Sequence, residues 1–520
     1  MRKTVKKLTA VGLTVTSVLG LVACGSSKGT TSQGTSENKE VTKPDTFTVM
    51  CDGTVVTETN GAEAFYKQLN EATGLDIKWT RPDHASYYDA VANAFNSDDT
   101  MPDVVLLSSD YYALYASNGF LWNMTDAWEH SETKNSGRLI STADNVLSAL
   151  MVNGEDGTKA MYGLSLYRGN GCCTYVKKAW LDKAGIDASK VKDVQMDFNT
   201  YYGYLKQMAQ TMGHYVISSP GFIHPEAPNT NYLPEFYQKA QYTFYKDTSG
   251  KYVDGFAQQE MKEALQRIQT AVNDGVIDKE SVNNSTANAR DKFYSTDPST
   301  ETGVFTYWAG TWANTLKTNL SNKGLDDELI AIKPIKELGA YTERIAPCWC
   351  ITSAAKNPEG IFKYFIDKML DGGDVQMLWT HGAKGTHWDD KAETVTVEKK
   401  EDQPKTYTEG QFHYLPGIEK PDQWQTKNHI DPILSIANFT NGYVGESLIP
   451  EVARENGEFF AENSQVAVPL PMTSELSNNI GDINTARTYV IAQVALGYMT
   501  VDEGMDYYNK TVGSLSKAVL

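Results

Sequence analysis

The sequence predicts an α/β fold built on parallel, doubly wound sheets. Two features between Phe47 and Leu107 carry that prediction. Apolar runs of strand length alternate with segments of helical spacing, and one run, Val104-Val-Leu-Leu107, is apolar throughout. A run apolar at every position marks a strand covered on both faces, as in a parallel sheet flanked by helices.

The elements follow in order. Phe47-Thr-Val-Met-Cys51 reads as a strand, ended by the turn Asp52-Gly53. Ala64, Phe65, Leu69 and Ala72 give a helix that Gly74 stops. Leu75-Asp-Ile-Lys-Trp79 alternates as a strand does, and Tyr88, Val91, Ala92 and Phe95 return to helical spacing. Strand, helix, strand, helix, strand implies parallel pairing. Ligands of such sheets lie beyond the carboxyl ends of the strands, here Asp52-Gly53, Arg81-Pro82-Asp83 and Ser108 to Tyr112.

A second series begins near Met161. Met161 to Leu166 and Thr174 to Val176 read as strands. Tyr201, Tyr204, Leu205, Met208 and Met212 make a helix closed by Gly213, and Met261, Leu265, Ile268, Ala271 and Val272 one closed by Gly275. Gly303 to Trp308 is a strand, Ala309 to Leu320 a turn and helix, Leu329 to Pro334 extended, and Ile351 ends a further strand. Asn357-Pro358-Glu359 starts a helix, with Asn as cap, Pro in the first position and Glu at the positive end. That helix runs to Gly372, and the stretch from Asn484 to Leu520 is also helical.

The N-terminus is of another kind. Arg2, Lys3, Lys6 and Lys7 precede an uncharged, mostly apolar stretch, Leu8 to Val22, which is short for a membrane span and reads as a signal peptide over residues 1–23. Leu21-Val-Ala-Cys24-Gly25 resembles the lipobox of bacterial lipoproteins. The resemblance implies a diacylglyceryl group on Cys24, whose two acyl chains suffice for anchoring at the outer face of the cell membrane. Residues 24–44 are rich in Gly, Ser and Thr and read as a flexible tether.

Composition is that of a globular head, with 41% hydrophobic and 22% charged residues. Net charge is −18, and loss of Arg2, Lys3, Lys6 and Lys7 takes it to −22. That field repels polyanions, so nucleic acid is excluded as a partner. Beyond Cys24 the cysteines are Cys51, Cys172, Cys173, Cys348 and Cys350. Their odd number and their spacing favour buried thiols, with a bridge from Cys172 or Cys173 to Cys348 or Cys350 as the alternative.

Several phrases, in this order, resemble the extracellular solute-binding proteins of ABC importers, in the sugar-binding cluster of family 1 that includes maltose-binding protein. They are Glu71 to Lys78, Met101-Pro-Asp-Val-Val105, Met161-Tyr-Gly-Leu164, Val176 to Gly185, Gly250-Lys251, Lys262 to Leu265, Asp274 to Asp278 and Thr302 to Trp312. Cys172-Cys173 and the length of region 390–470 depart from the common pattern. The resemblance implies a type II, periplasmic-binding-protein-like fold of two doubly wound lobes around a central cleft and hinge. The first lobe would take residues 45–155 and 340–440, the second 156–335 and 445–520, with crossings near 150–165, 330–345 and 435–450. It also implies a monomeric receptor that traps an oligosaccharide by hinge closure and delivers it to the transmembrane subunits of a permease.

The cleft chemistry follows from what a sugar offers, apolar C–H faces rimmed by hydroxyls. Indole and phenol rings match the faces; Asp, Asn, Arg and His match the rim. The candidate contacts are Asp52, Asp83, Tyr111, Tyr112, Arg168, Asn170, Trp308, Trp312, Trp379, His387 and Trp388. No catalytic residue, cofactor or metal is expected. The sequence has no G-x-S-x-G elbow, H-E-x-x-H or Walker A loop, and His381 and His387 lack helical ligand spacing. Gly154-Glu-Asp-Gly-Thr158 reads as a solvated turn rather than a calcium loop. The alternatives are a peptide or other polar solute in the same architecture, and a surface glycoside hydrolase, for which carboxylates abound but no pair stands out.

Overall fold

The computed structural model describes residues 40–53, 61–222, 242, 244–247, 249–325, 328–395, 405–415, 430, 433–440, 450–467 and 474–519. The expected signal peptide, Cys24 and most of the tether lie outside these residues. The last tether residues do not hang free. Asn357 Nδ2 donates to the Thr42 carbonyl at 3.0 Å and Tyr364 O–H to that of Val41 at 3.4 Å, so the chain is already held before its first strand.

The first lobe is built on the strands Thr46–Met50, Asp76–Thr80, Val104–Leu107 and Cys348–Ile351. Thr46–Met50 lies in the middle, parallel to both of its neighbours. Of the apolar positions that spacing marked, the helices Ala62–Thr73 and Tyr87–Ala94 bury Phe65, Leu69 and Val91, with Phe95 just beyond the second, while Ala64 and Tyr88 are half-buried and Ala72 and Ala92 are exposed. Gly74 ends the first with φ 61°, a left-handed cap donating to Asn70 O at 2.7 Å. Cys348–Ile351 closes the sheet antiparallel to Val104–Leu107. Asn357 caps the expected helix through Gly360 N, but Pro358–Ile361 widens to a π-turn over Phe362–Ile366 and tightens to 3₁₀ over Asp367–Leu370.

The second lobe repeats the plan. Cys172–Lys177 is flanked by Val304–Trp308 and Leu329–Ala331, antiparallel to both, and Ile217 bridges in parallel to Ile277 and Val304. The other members therefore run one way and Cys172–Lys177 runs against them. In each lobe the reversed strand is the one that arrives directly from the other lobe. The helices Phe198–Met212, Glu260–Asn273, Ser474–Ala495 and Val501–Val519 contribute to this core. Buried Asp254 ties in the last two, accepting from Arg487 Nη2 at 2.8 Å and Tyr508 O–H at 2.7 Å.

Two separate cores result. One holds Phe47 to Leu166 and resumes at Ile345; the other holds Cys173 to Tyr341, Phe460 and the C-terminal helices. The first core thus runs past residue 155 to Leu166. Met161 to Leu166, expected as a strand, is one only through Met161, in a hairpin of Met151–Asn153 with Lys159–Met161. Beyond it the chain leaves the sheet to cross between lobes, keeping a bridge from Leu164 to Trp349. The five described cysteines are free and buried, so no bridge joins the Cys172 pair to the Cys348 pair. No described helix is long and apolar enough to cross a membrane.

Candidate functional site

Strand register fixes where the two lobes meet. Cys348, the first residue after one crossing, pairs with Leu107, the last of its strand. Cys172, the first after the other crossing, pairs with Trp308, again the last of its strand. Each crossing therefore enters at the carboxyl edge of its sheet, and both edges adjoin a common hinge.

The hinge is a bundle of extended segments. Leu164 and Trp349 exchange N–H···O bonds at 3.0 and 2.9 Å, and Arg344 N donates to Asn170 O at 3.2 Å. Arg168 N donates to Leu434 O at 2.6 Å, and Tyr341–Glu343 pairs in parallel with Ser464–Val466. A Cβ at Gly169 would run into the Arg344 carbonyl oxygen, and one at Gly171 into that of Thr342. At the centre Arg168 grips Glu343 through two nitrogens, Nε at 3.1 Å, while Ser464 Oγ donates to Glu343 at 3.2 Å. Burial pushes the Glu343 carboxyl up, and Arg168 and Ser464 pull it back part of the way.

On the first lobe's edge, Asp52 follows its strand and engages His84 Nδ1. Gly53 N donates to Pro82 O at 2.8 Å, too close for a Cβ there. Arg81 lies 5.2 Å from the Tyr66 ring centre, and Asp83 is exposed at the start of the turn His84–Ser86. Tyr87 O–H donates to Leu106 O at 2.7 Å. Tyr88 O accepts from Ser108 N at 2.8 Å, and its ring stacks on Tyr111 at 4.0 Å and 9°. Burial pushes the Tyr88 hydroxyl up to about 12 and raises the neighbouring Asp110 carboxyl.

The second lobe's edge is aromatic. Trp308 ends its strand with the Arg344 guanidinium 4.6 Å from its ring centre. Asn170 Nδ2 donates to Ala309 O at 3.0 Å, fixing the crossing to this edge. Gly310 turns the chain with φ 66°, its N–H donating to Asn456 Oδ1 at 2.7 Å. Trp312 then stands on the first turn of the helix Thr311–Asn322, 43% exposed, edge-on to Tyr307 at 5.6 Å. Tyr307 O accepts from Arg290 Nη1 at 2.9 Å.

Asp52, Asp83, Tyr111, Asn170, Trp308 and Trp312 thus gather on the two edges. The structure places the other candidates elsewhere. Tyr112 is fully buried, its hydroxyl bonded to Leu150 O, because it faces the core from the helix Ser109–Ser117 where Tyr111 is only half-buried. Trp379, 1% exposed, is a core ring against Phe65 at 5.0 Å and Trp349 at 5.6 Å. His387 is buried, its Nδ1 accepting from Ala383 N at 2.7 Å. Trp388 stacks on Phe412 at 4.9 Å and donates to Gly382 O at 2.8 Å, joining the strand pairs of Trp388–Asp389 with His413–Tyr414 and Glu393–Val395 with Lys405–Tyr407 to the loop before them. Arg168 serves the hinge. Sequence reasoning missed His84, Tyr88, Arg290 and Arg344. His84 and Arg344 had a signal: one follows a strand-end segment, the other lies within an expected crossing. No group of three or more His, Cys, Asp or Glu suited to a metal occurs among the described residues.

Two α/β lobes with carboxyl edges opening on one hinge define a two-lobed architecture. Solved structures share it over nearly the whole chain. A family 1 extracellular solute-binding protein from Alicyclobacillus acidocaldarius matches with a TM-score of 0.59 and 13% identity, covering 92% of this chain and 99% of its own. The sugar-binding protein MalE of Xanthomonas citri matches at 0.57 and 13%, covering 91% and 98%. An HMO-binding, ABC-transporter-associated solute-binding protein from Bifidobacterium longum infantis matches at 0.57 and 14%, covering 91% and 97%. No protein-family model and no curated protein matches the sequence. The fold is that of the MalE-like, family 1 extracellular solute-binding proteins, shared in backbone with little identity of side chains.

Proposed function

We propose that this protein is an exported lipoprotein receptor that closes its lobes on an oligosaccharide and delivers it to an ABC permease. One observation carries the reading: Trp312 and Trp308 stand at a carboxyl edge that adjoins the hinge, and Asp52 and Asp83 follow strand ends on the other lobe's edge. An indole left 43% exposed at such a place suits the apolar face of a sugar ring. One neighbour of the same fold is named as a sugar-binding protein and another as HMO-binding, which supports the choice of ligand. Ligand contacts are assigned to Asp52, Asp83, Tyr111, Asn170, Trp308 and Trp312.

The lipobox-like Cys24 supports an anchor at the outer face of the membrane, and the chain is taken to act as a monomer without catalysis. A peptide receptor of the same shape is the competing reading, and it would need ion pairs at the ligand's termini rather than stacked rings.

The deciding experiment is a thermal-shift screen of the full chain in detergent against oligosaccharides and short peptides, with chromatography for products. A ligand at a hundred times its dissociation constant stabilises by about 2.7 kcal/mol. A shift with glycans and no products is expected. A shift with peptides alone refutes the sugar assignment, and product formation refutes the receptor. Loss of the protein from the membrane fraction on Cys24→Ala tests the anchor.

A further inference from the structure

The arginines at the hinge bear on which glycan the cleft takes. Five other described arginines have a carboxylate or carbonyl partner: Arg168 has Glu343, Arg267 has Glu263, Arg454 has Glu458, Arg487 has Asp254, and Arg138 has Leu370 O and Asn438 O, while Arg81 lies over the Tyr66 ring. Arg344 is different. It is exposed and lies over Trp308 at 4.6 Å, and among the described residues its guanidinium has neither a carboxylate partner nor a hydrogen-bond acceptor. Arg290 meets the Tyr307 hydroxyl and ring and likewise has no carboxylate partner among the described residues. In a chain with 65 acidic residues against 47 basic ones, two arginines without a carboxylate on one ligand edge are cations held in reserve.

We propose that Arg344, held on Trp308, recognises a carboxylate of the bound glycan, so that the ligand is an acidic oligosaccharide bearing uronate or sialate groups. The inference rests on the sugar-binding reading above. A guanidinium presents a planar fork that pairs two N–H groups with the two oxygens of a carboxylate. The Trp308 indole, 4.6 Å from the guanidinium, holds it in place before ligand arrives. Backbone geometry supports the aim: Glu343 is locked into the hinge by Arg168, and the next residue, Arg344, is exposed. The negative charge of the whole chain opposes an anion only weakly at this range, since fields between exposed charges are screened beyond about 8 Å in physiological salt. Asp52, the acid nearest the strand end across the hinge, is engaged by His84.

The test is titration calorimetry of the full chain in detergent with matched glycans: trigalacturonate against its trimethyl ester, and sialyllactose against lactose. The acidic member of a pair is expected to bind about tenfold or more tightly than its neutral counterpart. Arg344→Gln is expected to abolish that preference while leaving the melting temperature of the free protein unchanged, and Arg344→Lys to retain part of it. Equal binding of both members, or a preference that survives Arg344→Gln, overturns the inference and leaves the sugar receptor intact. Binding of peptides and of no glycan overturns both.

Discussion

The Arg168–Glu343 pair makes a quantitative test of the hinge. Both side chains are almost wholly buried, Glu343 at 1% and Arg168 at 7% exposure, and they join crossing segments that are 175 residues apart. Replacing Arg168 by Met leaves a buried carboxylate whose remaining side-chain partner is Ser464 Oγ at 3.2 Å. Breaking such a pair from one side costs about 3–5 kcal/mol, because the surviving charge stays desolvated. Replacing both partners removes that charge, so Arg168→Met with Glu343→Leu should recover most of the loss. The assay is urea denaturation of the single and double variants, followed by tryptophan fluorescence and by far-UV circular dichroism to detect separate unfolding of the lobes. If the pair is the hinge's anchor, Arg168→Met lowers the midpoint sharply and the double variant returns toward it. A single variant within about 1 kcal/mol of the parent, the median worth of an exposed pair, would refute the reasoning. So would a double variant as unstable as the sum of the singles.

Three further outcomes are expected. Trp312→Ala should weaken ligand binding about tenfold and move the denaturation midpoint little, since the ring is largely outside the core; calorimetry and urea melts check the two halves. The thiols of Cys51, Cys172, Cys173, Cys348 and Cys350 should resist a thiol reagent in the native protein and react on unfolding, because burial removes access and pushes each thiol up; fast native labelling would contradict their placement. Asp110 is raised by burial, so its stabilising share is full below the unfolded value of about 3.9 and is lost as pH rises through the folded one. Asp110→Asn should therefore gain on the parent between pH 3.5 and 7 in urea midpoints, and a gap that narrows or reverses would show the carboxylate to be favourably held.

What local pattern could reveal, the sequence revealed. Strands and helices from Phe47 to Leu107 were legible because each buries a face at its own period, and Gly74 and Asn357 mark ends through backbone rules that need no tertiary partner. Tyr111 and Tyr112 show where that legibility stops. Both follow a strand end, but successive residues of a helix face about 100° apart, and only the packed helix Ser109–Ser117 leaves Tyr111 half-buried against Tyr88 and sends Tyr112 into the core. Trp379 and Trp388 were drawn into the candidate site by their chemistry, yet aromatic surface is as useful to a core as to a sugar, and neighbours distant in sequence claimed both.

By itself, then, the sequence determined the order of elements in the first lobe, the parallel pairing of its first three strands and the strand ends at which a ligand could sit, since these depend on periodicity and turn residues within a few positions. Only the tertiary structure decided that Arg168 belongs to Glu343 and Arg344 to Trp308, and that both sheets open on one hinge. Those facts depend on register between strands more than a hundred residues apart, such as Cys172 with Trp308 and Leu107 with Cys348. Pairing at that separation is chosen by the packing of the whole chain, and no local pattern encodes it.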